Sequence, residues 1–306
     1  MRIQDIYVKT YYRLVGKSKL LRPFRLAIRS LANLHLKMVF RNGNPSFSCT
    51  GNEDDVIVSL TSFPARINNL WIVVESLLRQ SVRPQRIMIW LSKEQFTDKS
   101  VPRNLKSLEA RGVEIKLVDG DIRSHKKYYY IFKERPNSKI LLADDDIIYP
   151  SDMVERLLTI YDSSPHRKKI AHVYGYEMKY NSDGELKPYD SWGACYKPTE
   201  GYNLFFGSGG GTLLKPSDLY ADVINVETAR LLAPQADDVW LNAMARLGGC
   251  YYHKISNGPI LSVQNRNNET LANSNLSENQ NDVQIKNVID YFQNMIGRNP
   301  YKKYED

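Results

Sequence analysis

Three adjacent aspartates, Asp144, Asp145 and Asp146, are the residues of this sequence best suited to chemistry. Residues 139–143, apolar from Ile140 onward, predict a buried strand directly before them, and a second apolar run at 147–150 follows them. Neighbouring carboxylates repel one another, so they either stay solvated on a loop or hold a hard divalent cation. Because a solvated charge run does not usually lie between two apolar runs, the pattern favours a Mg²⁺ or Mn²⁺ site.

Strand patterns alternate with helix patterns around the triplet. The predicted strands lie at 56–61, 86–91, 113–118 and 139–143, and the predicted helices lie at 67–80, 102–111, 128–132 and 151–161. This alternation predicts an α/β protein with a mostly parallel, Rossmann-like sheet flanked by helices. Ligands of such sheets bind beyond the carboxyl ends of the strands, which is where the triplet stands.

The second half of the chain gives a less regular pattern. The sequence predicts a strand at 170–178, a strand at 212–214, a helix from Asp237 to the glycines at 248–249, a strand at 250–255 and a last helix at 283–296. The glycine-rich stretch 207–211 lacks the spacing of known phosphate loops. Gly209 and Gly210 either let the backbone approach a sugar or belong to a plain flexible loop.

Positive charge is concentrated at the N-terminus. Through residue 41 there are ten Lys or Arg and one acid, a net charge of +9, so the remaining chain sums to −1 of the total +8. The high isoelectric point therefore belongs to the arm and does not indicate a nucleic-acid-binding fold. Residues 23–40 have helical apolar spacing, which fits either docking on an anionic membrane or packing on the body. Residues 42–54 read as a linker.

The arm and the cysteines bear on location. The longest apolar runs are far shorter than a membrane-spanning helix needs, and the N-terminus lacks the pattern of a signal peptide. Three distant cysteines without CxxC spacing argue against a disulfide framework and fit a reducing cytoplasm. We expect a cytoplasmic protein, with peripheral attachment to the inner face of the cell membrane as a further option.

Three motifs together resemble a known family. The triplet followed by Ile-Ile-Tyr-Pro-x-Asp is similar to the DxD region of GT-A-fold glycosyltransferases. The strand 56–60 with its following loop 61–66 resembles their first nucleotide-binding strand, and the stretch 236–242 resembles their acidic motif at a helix start. The resemblance covers about residues 55–262 and is nearest to bacterial family-2-like enzymes, with some similarity to exostosin-type transferases.

The resemblance implies roles for the acids. Asp146 would ligate Mn²⁺ or Mg²⁺ directly, Asp144 would contact the ribose or the metal through water, and Asp145 would meet hydroxyls of the donor sugar. Asp238 would be the base that takes a proton from the acceptor hydroxyl. Asp237 is the second candidate there, although an aspartate at a helix start is also a natural N-cap.

The resemblance also implies basic and polar contacts to the nucleotide sugar. Thr61, Ser62 and Arg66 would lie under the nucleotide, or else form a capped turn with a surface arginine. Lys126 and Lys127 would reach the diphosphate, or else form a solvated helix start. His253 would complete the metal site, although a lone histidine is more often structural.

These roles predict a glycosyltransferase of bacterial surface polysaccharide synthesis, as in lipopolysaccharide or capsule pathways. The donor would be a nucleotide sugar, first of all a UDP-sugar, and the acceptor a glycan or a lipid-linked molecule. Two alternatives are a nucleotidyltransferase on a similar sheet and a non-catalytic glycan- or membrane-binding protein. Family-2 enzymes invert the anomeric centre and exostosin-type enzymes retain it, so both outcomes stay open.

The expected organisation has three parts. Residues 1–42 form a basic amphipathic arm, residues 55–262 form the GT-A-like catalytic domain, and residues 263–306 form an Asn-rich segment with a C-terminal helix. We expect removal of residues 1–41 to weaken binding to anionic liposomes and to leave donor hydrolysis intact.

Overall fold

A computed structural model gives the fold and describes residues 2–14, 19–41, 43–255, 261–263 and 280–305. Contacts within the chain divide it into two compact units. The first unit comprises Met1–Asp121, Asp144–Arg156 and Asn257–Asn267, and the second comprises Ile122–Ala143, Leu157–Ser256 and Asn268–Asp306. The three-part division expected from the sequence stays a prediction, and most of its Asn-rich segment lies outside the described residues.

Helices and strands alternate along most of the described chain. The helices are α1 Ile3–Leu14, α2 Arg22–Arg41, α3 Ile67–Leu78, α4 Arg103–Lys106, α5 Lys126–Glu134, α6 Met153–Ser163, α7 Val226–Leu232, α8 Asp237–Gly248 and α9 Gln280–Ile296. The strands are β1 Ile57–Thr61, β2 Arg86–Ser92, β3 Val113–Val118, β4 Ile140–Ala143, β5 Lys169–His172, β6 Gly175–Glu177, β7 Gly193–Ala194, β8 Thr199–Gly201, β9 Leu204–Phe206, β10 Gly210–Leu214 and β11 Tyr251–Lys254. The predicted α/β class, a largely parallel sheet with flanking helices, is confirmed.

The first unit is built on parallel strands in the order β3-β2-β1. Ile57 pairs with Arg86 and Ile87 pairs with Val113. Residues of β1 and β2 are almost entirely buried, as the continuous apolar runs of their sequences require. The strands therefore form a rigid base for the loop that follows β1.

The second unit mixes strand directions in the order β4-β10-β5-β11-β8. Strand β10 runs antiparallel to β4 and to β5, whereas β5 and β11 are parallel. A separate three-stranded antiparallel sheet has the order β7-β6-β9. Helix α9 packs in this unit beside α8, where Phe292 lies 6.0 Å from the ring of Trp240.

The single strand predicted at 170–178 is wrong. The chain forms β5, leaves that sheet after His172 and then forms β6 in the three-stranded sheet. Gly175 permits the close approach, since an added Cβ would lie 2.5 Å from the carbonyl oxygen of Phe205 and 2.7 Å from the His172 ring. A continuous apolar pattern does not reveal such a change of sheet.

The basic arm packs on the first unit through both of its helices. The buried residues of α1 are Gln4 and Asp5, and those of α2 are Ala32, Asn33, Leu36 and Phe40. Packing on the body, one of the two expected placements, is therefore confirmed. Among the described residues, no helix combines the length and the apolar character that crossing a membrane requires.

Candidate functional site

The loop after β1 and the aspartate triplet form one hydrogen-bonded cluster in the first unit. Asp145 is buried, and it accepts a hydrogen bond from Ser62 Oγ at 2.6 Å and one from Arg66 Nη1 at 2.7 Å. The same Arg66 nitrogen lies 3.0 Å from a carboxylate oxygen of Asp146. One guanidinium thus lies between two consecutive aspartates, and Ser62 fixes the first of them from the other side.

Electrostatics give Asp145 a positioning role. Burial raises the pKa of its carboxyl, and the Arg66 guanidinium opposes that shift. Its two oxygens already accept from Ser62 and Arg66, so the contacts hold the triplet in place. Its predicted contact with donor-sugar hydroxyls stays a prediction, as does the predicted phosphate contact of Arg66.

The residues present fit a divalent cation only in a limited way. Among the described residues, no group of three or more His, Cys, Asp or Glu side chains is arranged to hold a metal. Asp144 and Asp146 are partly exposed, unlike Asp145. Mg²⁺ commonly uses one or two protein carboxylates together with substrate phosphates and water, and the metal-ligand roles of Asp144 and Asp146 stay predictions.

Backbone around the triplet is held from both sides. The Asp144 N–H donates to the hydroxyl oxygen of Tyr149 at 2.8 Å. The Tyr149 carbonyl accepts from the Gln4 amide at 2.9 Å, and the Tyr149 N–H donates to Ser76 Oγ at 3.2 Å. At the start of the neighbouring loop, Thr61 Oγ1 donates to the Trp90 carbonyl at 2.7 Å. Thr61 therefore ties β1 to β2, and its nucleotide contact stays a prediction.

A second polar cluster lies in the second unit, around the start of α8. Lys127 Nζ is 3.0 Å from an Asp237 carboxylate oxygen and 3.0 Å from Ser208 Oγ. Ser208 Oγ donates to Asp237 at 2.7 Å, and the Ser208 N–H donates to Asp238 Oδ1 at 2.7 Å. Ser208 thus links the two consecutive aspartates, and the structure brings the predicted residues Lys127, Asp237 and Asp238 together.

The two aspartates of this cluster have opposite pKa shifts. Burial acts to raise the pKa of Asp237, but the Lys127 ammonium, His125 and the hydrogen bond from Ser208 together outweigh burial, and the net shift is downward. Burial and the neighbouring charge of Asp237 together raise the pKa of Asp238 to about 7. When the pKa values of two adjacent carboxyls are pushed apart in this way, one carboxyl stays ionised near neutral pH and the other can accept a proton.

Two alternative interpretations from the sequence are wrong. The N-cap position of α8 is Ala236, and the side chain of Asp237 accepts from Ser208 and Lys127 and does not cap the helix. Lys126 and Lys127 are buried and do not form a solvated helix start. Lys126 follows His125, whose Nε2 lies 2.9 Å from the Ala233 carbonyl oxygen.

The glycine-rich stretch packs against a tyrosine. An added Cβ on Gly210 would lie 2.5 Å from Tyr174 Cβ, and one on Gly207 would lie 2.8 Å from the Tyr174 ring. Gly211 has a φ of +104°, which a residue with a side chain rarely adopts. Packing and backbone conformation explain these glycines, and the approach of Gly209 and Gly210 to a sugar stays a prediction.

His253 lies in β11 with polar neighbours of its own. Its Nε2 is 2.6 Å from Ser164 Oγ and its Nδ1 is 3.1 Å from a Glu200 carboxylate oxygen. Burial lowers its pKa, against the effect of Glu200. These contacts give the ring a structural setting, and its metal-ligand role stays a prediction.

No protein-family model matches the sequence, and no curated protein matches it. Residues 1–349 of S. aureus TarS in complex with UDP-GlcNAc are similar with a TM-score of 0.48 and 12% identity, over 78% of this chain and 66% of that one. A 4-diphosphocytidyl-2C-methyl-D-erythritol synthase is similar with a TM-score of 0.36 and 10% identity, over 57% of this chain and 78% of that one.

CMP:2-keto-3-deoxy-manno-octonic acid synthetase complexed with CTP is similar with a TM-score of 0.40 and 8% identity, over 68% of this chain and 91% of that one. At these identities and TM-scores the similarities assign no activity to this chain. Its function is therefore inferred from its own residues.

Proposed function

We propose that this protein is a glycosyltransferase that uses a nucleoside-diphosphate sugar as donor, with a UDP-sugar as the first candidate. The observation that supports this most is the Asp237–Asp238 pair, where Lys127 keeps one carboxylate ionised and the next has a pKa of about 7. A carboxyl with a pKa near neutrality is suited to take a proton from an acceptor hydroxyl. Asp238 is therefore the proposed base.

Asp146 and Asp144 are the proposed ligands of Mn²⁺ or Mg²⁺ at the donor diphosphate. When bound there, such a cation neutralises the charge that grows on the leaving nucleoside diphosphate. Arg66 and Ser62 hold Asp145, and Asp145 in turn fixes the backbone that carries the two ligands. Asp145 is therefore a positioning residue in this proposal.

The acceptor class is proposed from the sequence resemblance. A glycan or a lipid-linked molecule of bacterial surface polysaccharide synthesis is the proposed acceptor, and a lipid-linked one would bring the enzyme to the inner face of the cell membrane. If Asp238 activates the acceptor hydroxyl for direct attack on the anomeric carbon, the configuration inverts. The configuration of the product tests this step.

The test is a screen of nucleotide sugars with Mn²⁺, in which release of nucleoside diphosphate is measured with and without acceptor glycans. We expect one donor to turn over, Asp146→Asn to lose Mn²⁺ binding, and Asp238→Asn to lower transfer by about 10²- to 10⁴-fold. Asp290→Asn is the matched control. It makes the same change at an exposed carboxylate of α9 that lies 2.6 Å from Lys286, outside both clusters, and it should leave Mn²⁺ binding and turnover unchanged.

Two results would contradict the proposal. Pyrophosphate release from a nucleoside triphosphate and a sugar phosphate would identify a nucleotidyltransferase. Silence with every donor, together with unchanged Mn²⁺ binding in Asp146→Asn, would favour a non-catalytic protein. The product analysis separates these outcomes, because each reaction releases a different phosphate species.

A further inference from the structure

Helix α2 has two apolar faces, and the first unit uses only one of them. The used face buries Leu36 and Phe40, and the Arg79 guanidinium lies 4.5 Å from the centre of the Phe40 ring. The Asn33 amide on the same face donates to the Ser262 carbonyl at 3.1 Å. These contacts fix the rotation of α2 about its axis and decide which residues point away.

The opposite face carries a regular apolar stripe. Its members alternate four and three residues apart, a spacing that keeps them on one side of a helix. They are 62% exposed at Phe24, 58% at Leu31, 60% at Leu34 and 57% at Met38. Ala27 lies at the remaining position of the series and is also exposed. We call Phe24, Ala27, Leu31, Leu34 and Met38 the α2 stripe.

Charge around the stripe has one sign. Helix α2 contains five Lys or Arg and no Asp or Glu. The only acid of the first 41 residues is Asp5, which is buried and accepts from the Ser151 N–H and hydroxyl, each at 2.7 Å. Lys37 and Arg41 follow the stripe members Leu34 and Met38 by three residues, so the edge of the stripe carries positive charge without an acid to offset it.

An apolar stripe edged by positive charge argues against a second copy of the chain as its binding partner. Helix pairs with this spacing usually place acids opposite bases along the edges of the apolar seam. Two α2 helices packed through their stripes would instead bring like charges together. An anionic lipid surface provides both the apolar layer and the opposite charge.

We propose that the α2 stripe docks the protein on an anionic lipid surface, with α2 lying in the plane of the headgroups. Phe24, Leu31, Leu34 and Met38 enter the acyl boundary, and Lys37 and Arg41, the basic residues of α2 nearest the stripe, meet lipid phosphates. The inference specifies the membrane contact of the proposed function. Its test measures vesicle binding and not turnover. A failure of the membrane-docking proposal can therefore be distinguished from a failure of the proposed function.

The experiment compares two glutamate substitutions in the full chain by vesicle flotation. Leu31→Glu lies on the stripe, and Leu26→Glu is the matched control because Leu26 is 46% exposed on α2 but off the stripe. Vesicles contain phosphatidylcholine alone or with phosphatidylglycerol. The control changes charge only and should weaken binding by about fivefold, whereas Leu31→Glu also removes an inserted side chain and should weaken it by about 50-fold or more.

Circular dichroism and the urea midpoint of both variants show that they are folded. The proposal is supported if the native chain prefers phosphatidylglycerol vesicles and only Leu31→Glu loses most of the binding. It is overturned if the two variants bind equally, or if the native chain binds neutral vesicles as well as anionic ones. A dimer in sedimentation velocity that Leu31→Glu abolishes would show that the stripe serves a second copy instead.

Discussion

Arg66 is the residue on which the first cluster depends. Its Nη1 atom lies 2.7 Å from a carboxylate oxygen of Asp145 and 3.0 Å from one of Asp146. Its guanidinium also lies 5.3 Å from the centre of the Phe63 ring. An ion pair buried to this degree is costly to break from one side, because the remaining charge loses its partner without regaining water. Arg66 and Asp145 should therefore behave as one unit.

A double-mutant cycle tests that coupling. Arg66→Gln should lower the free energy of unfolding by about 3 kcal/mol, because it leaves the Asp145 carboxylate with Ser62 alone. Arg66→Gln combined with Asp145→Asn should cost clearly less than the two single changes added together. The measurement is urea unfolding of the three variants.

Arg86→Gln is the matched control for this cycle. Its partner Glu114 lies 2.7 Å away, and both side chains are about one-third exposed. Loss of such a pair should cost at most about 1 kcal/mol. Equal losses for Arg66→Gln and Arg86→Gln, or strict additivity in the cycle, would refute the coupling of Arg66 with Asp145.

The pKa of Asp238 sets the expected pH dependence. A base must be deprotonated, and burial beside Asp237 raises the pKa of Asp238 to about 7. Transfer should therefore be lost as the pH falls through about 7 and should level off above it. Turnover against pH is the first measurement, and carboxyl NMR of the native protein compared with Asp238→Asn is the second. A rate that is flat across this range would exclude Asp238 as the base.

Residue types were predictable from the sequence, but their partners were not. The triplet and the Asp237–Asp238 pair were identified by type and by position at the ends of predicted elements. Ser208 was missed as a site residue, although it links Asp237 and Asp238 from about thirty positions away. The glycines around it gave no sign of that link, because the contact depends on the fold and not on local spacing.

At the scale of elements, α1 is the helix that the sequence pattern did not predict. The residues that it buries are Gln4 and Asp5, so its contact face is polar and shows no apolar period. The short strands β7, β8 and β9 were missed for a related reason, since two or three residues are too few to establish an alternation. Long helices and buried strands were predictable because their patterns are repeated several times.

Helix α1 should stabilise the segment that follows the triplet. Asp5→Ala removes the acceptor for the Ser151 N–H and hydroxyl and should cost about 2 kcal/mol of unfolding free energy. Amide hydrogen exchange should also speed up at residues 145–151. Tyr12→Ala is the control, because Tyr12 is exposed on the same helix and its loss should cost less than about 0.5 kcal/mol. Equal amide exchange rates at residues 145–151 in both variants would show that α1 does not stabilise the segment that follows the triplet.

At the scale of the whole molecule, the charge asymmetry suggests a detachable arm, but the packing contradicts this. The arm has a net charge of +9 and the rest of the chain sums to −1, which is typical of an appended tail. Yet Leu36 and Phe40 are fully buried in the first unit, and Gln4 and Asp5 bond to its backbone. The arm is therefore both a charged surface and a part of the core.

Removing residues 1–41 should consequently do more than abolish membrane binding, contrary to the expectation from sequence alone. Each buried apolar side chain of α2 contributes about 1.5–3 kcal/mol, so the truncated chain should melt well below the full chain and lose donor hydrolysis. Leu31→Glu is the comparison, because it changes only the exposed stripe and should keep both the melting temperature and hydrolysis. Differential scanning calorimetry and donor hydrolysis measure the two effects. A truncated chain that melts and hydrolyses like the full chain would show that the arm is an independent anchor after all.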